Sequence, residues 1–100
     1  MEASVAIQVL PRVGDDEKEL VRIVDKVIEY IQGKGLKTFV GPFETTVEGD
    51  YDTLMAIVKE CQLICVREGA KGVSTYVKIA YNPDAGVMTI DDKVAKYHQE

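Results

Sequence analysis

Leu36-Lys37-Thr38-Phe39-Val40-Gly41-Pro42-Phe43-Glu44-Thr45-Thr46-Val47-Glu48 reads as two short strands, and the architecture turns on its carrying two and not one. Thr38, Phe39 and Val40 favour extended backbone, as do Thr45, Thr46 and Val47, and Gly41-Pro42 marks the connection between them. Helical periods flank this segment on both sides. Before it, Gly14-Asp15-Asp16 opens a helix: Asp16 and Glu19 have capping-box spacing, and acidic residues suit the first turn. Leu20, Val24, Val27, Ile28 and Ile31 form its apolar stripe, which Gly33 and Gly35 end. After it, Asp50 caps a second helix with Asp52 in its first turn and a stripe of Leu54, Ile57, Val58, Cys61, Ile64 and Cys65. Gly69 to Gly72 ends that helix.

The outermost elements are strands. Over residues 3–10, Val5, Ile7 and Val9 alternate with Ser4, Ala6 and Gln8, and Pro11 closes the run because proline cannot donate to a ladder. Over Val73 to Tyr81, Val73, Thr75, Val77 and Ile79 alternate with Ser74, Tyr76, Lys78 and Ala80. Asn82-Pro83-Asp84-Ala85-Gly86 then turns the chain, and Thr89 with Asp92 caps a short closing helix carrying Val94 and Tyr97. The order βαββαβ predicts an α+β, ferredoxin-like sandwich: one four-stranded antiparallel sheet, two helices on one face, and a short C-terminal helix. One domain is expected over 1–100, with a core over 1–82 and an extension over 83–100.

Composition is that of a globular domain. In 100 residues, 46% are hydrophobic and 29% charged, and 12 basic against 17 acidic side chains give a net charge of −5. A low isoelectric point without a clustered basic face argues against nucleic acid. No apolar run approaches the roughly 20 residues of a membrane span, and no signal-peptide pattern opens the chain, so a cytoplasmic protein without a membrane partner is expected. Cys61 and Cys65 lie four apart on the second helix. With no further Cys or His pair to complete a zinc site, they read as buried packing residues, and no metal or cofactor is expected.

In this topology the first and third strands are central, and the apolar sets must face the helices. The other sheet face then shows Ser4, Ala6, Gln8, Leu10, Ser74, Tyr76 and Lys78. Thr46, Glu44, Glu48 and Phe39 join it if Val47 points to the helices. A bulge near Gly41-Pro42 would change that parity, so Thr45 is kept beside Thr46 as a candidate. A face carrying Leu10, Phe39 and Tyr76 calls for cover by a second subunit, and an interface cavity there would have aromatic walls and a few hydrogen-bonding groups. Catalytic residues are not expected: there is no glycine-rich phosphate loop and no nucleophile motif, and the only histidine, His98, lies near the end.

The stretch Gly35–Asp50, above all Gly41-Pro42-Phe43-Glu44-Thr45-Thr46-Val47-Glu48-Gly49, resembles the YkoF-like thiamine-binding family. So do Gly72–Ile79 on the last strand, the opening strand ending in Pro11, and Met88–Tyr97. The resemblance implies a ferredoxin-like subunit assembled into dimers or tetramers. It further implies non-enzymatic binding of thiamine or its hydroxymethylpyrimidine part, in salvage, transport or sensing. Carried onto this chain, the motif positions are Thr45 and Glu48. Two departures stand out: Glu44 where many members have glycine, and Tyr81-Asn82 in place of a charged run. The chemistry is coherent with such a ligand. Glu48 can accept from an exocyclic amine, Gln8 offers both donor and acceptor, and Ser4, Thr45 and Thr46 offer hydroxyls, while Phe39 or Tyr76 can stack on the ring. A net-negative protein with Glu44 nearby also suits the thiazolium cation of intact thiamine. Two other readings remain open: a cofactor-free oligomeric enzyme, and a ligand-free structural or regulatory oligomer module.

Overall fold

The computed structural model describes residues 1–98; the last two positions of the expected 83–100 extension lie outside the described residues. The elements are β1 (Ala3–Pro11), α1 (Glu17–Gln32), β2 (Thr38–Val40), β3 (Thr45–Gly49), α2 (Tyr51–Arg67), β4 (Val73–Tyr81) and α3 (Ile90–Val94), followed by a 3-10 turn over Ala95–Tyr97. The strands form one antiparallel sheet in the order β2-β3-β1-β4. This is the ferredoxin-like arrangement, with α1 and α2 on one face.

Each helix starts where its cap dictates. The Asp16 carboxylate accepts from the Glu19 N–H at 3.0 Å, and that of Asp50 accepts from the Thr53 N–H at 3.0 Å. The capping box at α1 is only half made, because the Glu19 side chain turns outward to Arg22, 2.9 Å away. The buried stripe of α1 is Ile23, Val27 and Ile31, a clean i, i+4, i+8 row. The stripe expected from spacing omits Ile23, which is fully buried, and includes Leu20, Val24 and Ile28, which flank the row and are half-buried. On α2 the buried set is Leu54, Ile57, Cys61, Ile64 and Cys65, with Val58 half-buried beside it. These rows close on Val5, Ile7, Val9 and Val47 to form the core. Ile79 shares the helix-facing side with Val5, its register partner, but is half exposed, because it stands on an edge strand where helix cover thins.

The hairpin between β2 and β3 carries no bulge. Thr38 pairs with Val47, Phe39 with Thr46 and Val40 with Thr45, and the Gly41 N–H donates to the Glu44 carbonyl at 2.9 Å to close the turn. Beyond β4, Gly86 adopts φ +78°, and a Cβ there would meet the Met1 carbonyl oxygen at 2.9 Å. The neighbouring Val87 N–H donates to that same oxygen at 2.8 Å. This tight approach to the amino terminus, possible for glycine alone, sends the extension back across the sheet.

Candidate functional site

Strand register sorts the open face into rows. Glu48, Ser4 and Ala80 form one row across β3, β1 and β4. Phe39, Thr46, Ala6 and Lys78 form the next, across all four strands. Gln8 and Tyr76 form a third, and Leu10 and Ser74 a fourth. Small side chains at Ser4, Ala6 and Ala80 leave the first two rows low, with Phe39 rising on one side and Lys78 on the other. The result is a crevice of about 330 Å³.

The extension supplies the remaining wall. Ile90, Lys93 and Val94 of α3 line the crevice opposite the sheet. Thr89 caps α3 in a complete capping box: its hydroxyl accepts from the Asp92 N–H at 3.1 Å, and the Asp92 carboxylate accepts from the Thr89 N–H at 3.4 Å. Ile90 is 4% exposed, so it anchors the helix onto the sheet. Lys37 and Asp91 pair at 3.2 Å, and the His98 ring rests 5.7 Å from that of Phe39. Sequence reading expected Val94 and Tyr97 to carry this helix; Tyr97 is exposed instead, and Ile90 is the residue it missed. The signal was available: Ile90 and Val94 are spaced i, i+4 behind a good cap, and the helix-covered face had no room left for them.

The expected site residues divide into three groups. Ser4, Phe39 and Thr46 line the crevice. Glu48 lies in the same row as Ser4 and is 5% exposed; its Oε2 accepts from the Ile90 N–H at 2.9 Å, so this carboxylate ties the extension to the sheet. Gln8 and Tyr76 form a cross-strand pair outside the crevice. Four residues of strand separate Gln8 from Ser4, about 13 Å at the usual rise, so one pyrimidine ring cannot touch both Gln8 and the Glu48 row. Thr45 is paired with Ile7 and points to the helix side, where it borders a smaller apolar crevice beside Phe43 and Ile28. With no bulge in the hairpin, the parity left open between Thr45 and Thr46 resolves toward Thr46.

Electrostatics in the crevice center on Glu44. Its carboxylate accepts from the Lys78 ammonium at 2.9 Å, so its charge is matched across the sheet. Elsewhere the chemistry is quiet. Burial pushes the Cys61 thiol up to about 12, with Cys65 and Glu60 adding to the effect, and burial raises Cys65 too. Both are free and protonated, packing residues in the α2 core. Among the described residues, no cluster of His, Cys, Asp and Glu could hold a metal ion, and no helix is long and apolar enough to cross a membrane.

The chain is thus a ferredoxin-like sandwich whose uncovered sheet face holds a crevice roofed by the C-terminal extension. The profile of the thiamine-binding protein family matches residues 5–98, and the chain belongs to that family. It is 51% identical over 94 residues to a UPF0045 protein of Clostridium perfringens, covering 94% of this chain and 95% of the relative. Among solved structures, a Bacillus cereus domain of unknown function superposes with a TM-score of 0.86 at 41% identity, over 98% of this chain and 91% of that one. A Thermotoga maritima protein provisionally assigned to thiamine biosynthesis or salvage superposes with a TM-score of 0.83 at 37% identity, over 98% of this chain and all of that one (100%).

Proposed function

We propose that this protein binds thiamine or its hydroxymethylpyrimidine moiety, without catalysis, in the open-face crevice, as a carrier or sensor in the cytoplasm. The observation that carries the reading is the crevice itself: hydroxyls of Ser4 and Thr46, the ring of Phe39 and a matched ion pair around a floor of small residues. Its volume falls at the lower end of the roughly 300–1,000 Å³ common for small-molecule sites. Phe39 stacks on the flat ring, and Ser4 and Thr46 bond its nitrogens. Glu48 keeps a second oxygen, which has no protein donor among the described residues and can accept from the exocyclic amine. Gln8 and Tyr76, a row further along, serve the thiazolium half of intact thiamine or the contact with a neighbouring subunit.

That neighbour is a second copy of the chain, in a dimer or tetramer. Leu10, Phe39 and Tyr76 are exposed on the same face, beside the crevice, and a second copy laid over them would bury apolar surface and close the site. Titration calorimetry with thiamine, hydroxymethylpyrimidine and the thiazole alcohol tests the proposal. Heat from the first two and none from the third, reduced tenfold or more in affinity by Phe39→Ala, is the expected result. Silence from all three in a folded protein would remove it.

A further inference from the structure

Lys78 from β4 and Lys93 from α3 line the same crevice, reaching it from two elements far apart in the chain. Every nearby acid is engaged. Glu44 pairs with Lys78, Asp91 with Lys37, the Asp92 carboxylate faces the Thr89 N–H in the capping box, and Glu48 lies under Ile90 with the Ile90 N–H on its Oε2. Lys93 has no acidic partner within 4.0 Å among the described residues. The crevice of a protein with a net charge of −5 thus holds an uncommitted ammonium group, beside a second one whose only partner is a single carboxylate. The hydroxyls of Ser4 and Thr46 add two neutral donors to the same space. This setting favours a ligand that carries an anion beside the ring.

We infer, resting on the thiamine-binding reading, that the crevice is built for a phosphate ester, with Lys93 as the residue that recognises the phosphate. Lys78, held at the crevice by Glu44, assists it. The shared chemistry is the phosphate monoester, and either thiamine phosphate or the phosphate of hydroxymethylpyrimidine could supply it. Lys93 stands on the extension, so the segment beyond the sandwich sets ligand class and not just the shape of the wall.

Calorimetry on the full chain, at low and at raised salt, separates the possibilities with five probes: thiamine, hydroxymethylpyrimidine, the phosphate ester of each, and inorganic phosphate. The expected result is that at least one ester binds on the order of fivefold tighter than its parent alcohol, as one partly exposed ion pair warrants. That preference should shrink with salt and vanish in Lys93→Gln, an exposed change that leaves the core untouched. The ester with the larger gain identifies the source. Equal or tighter binding of the alcohols, or a preference that survives Lys93→Gln, overturns the inference while leaving the thiamine reading standing. Inorganic phosphate bound through Lys93 with no response to any of the four organic probes would keep the anion site and overturn the thiamine reading. Silence from all five overturns both.

Discussion

The two faces of the sheet are made by the same strands and built on different logic. The helix-covered face is a continuous apolar layer, with Val5, Ile7, Val9 and Val47 meeting Ile23, Val27, Leu54 and Ile57. The open face is graded along the strands. At one end Ser4 and Glu48 are buried under α3; at the other Leu10 and Tyr76 are exposed. The covered face resists change because every position touches several others in a close-packed interior. The open face tolerates change at one end and is held at the other by a buried polar tie, Glu48 to the Ile90 N–H. The proposed function belongs to the second kind of surface, where small residues leave space and charges are set around it.

That contrast can be broken in order of expected effect. Ile57→Ala, at the center of the covered face, should cost about 3 kcal/mol in chemical denaturation, as large-to-small changes at buried aliphatic positions do. A midpoint that does not move would mean the helix layer is not where the stability lies. Glu48→Ala should cost about 2 kcal/mol, since it removes the acceptor of the Ile90 N–H at a buried site. Hydrogen exchange should then speed up across Ile90–Val94 while the α2 amides stay protected. Acceleration spread evenly over the chain would show that the extension is part of the core cooperative unit and not a separate one.

Two smaller effects sharpen the comparison. The Thr75 hydroxyl is buried without a hydrogen-bond partner among the described residues. Thr75→Val should therefore raise stability by about 1 kcal/mol, seen as a higher denaturation midpoint with an unchanged slope. A loss instead would mean that water already satisfies the hydroxyl. Gln8→Ala, on the exposed end of the open face, should leave protomer stability within about 0.5 kcal/mol, as substitutions away from packed features usually do. Its measurable effect should be on the affinity for thiamine or on assembly, read by calorimetry and sedimentation.

The sequence carried the helix-covered face almost completely. Alternation along residues 3–10 and 73–81, the stripes of the two long helices, and the caps at Asp16 and Asp50 each depend on local spacing, and local spacing is visible in one dimension. The slip at Ile23 is instructive. Seven apolar positions crowd that helix, and only packing against β1 and α2 selects the i, i+4, i+8 row among them. The stretch around Gly41-Pro42 likewise left the parity of Thr45 and Thr46 open, because a bulge there would be silent in composition. Strand pairing resolved it in favour of Thr46.

The site was legible only in part, for a physical reason. Ser4, Phe39 and Thr46 could be named from face parity alone, since a side chain's face follows from a period of two. What encloses them could not. Lys78 and Lys93 share a crevice, and Glu48 bonds Ile90, across chain separations that no local pattern encodes. Those contacts exist because the Gly86 turn folds the extension back over the sheet, and they arise from docking, where complementarity of shape and charge selects the partner. The residues themselves determined a ferredoxin-like sandwich with one bare face; which end of that face is roofed, which carboxylate is spent on holding the roof, and which lysine is left for a ligand were decided by the tertiary structure.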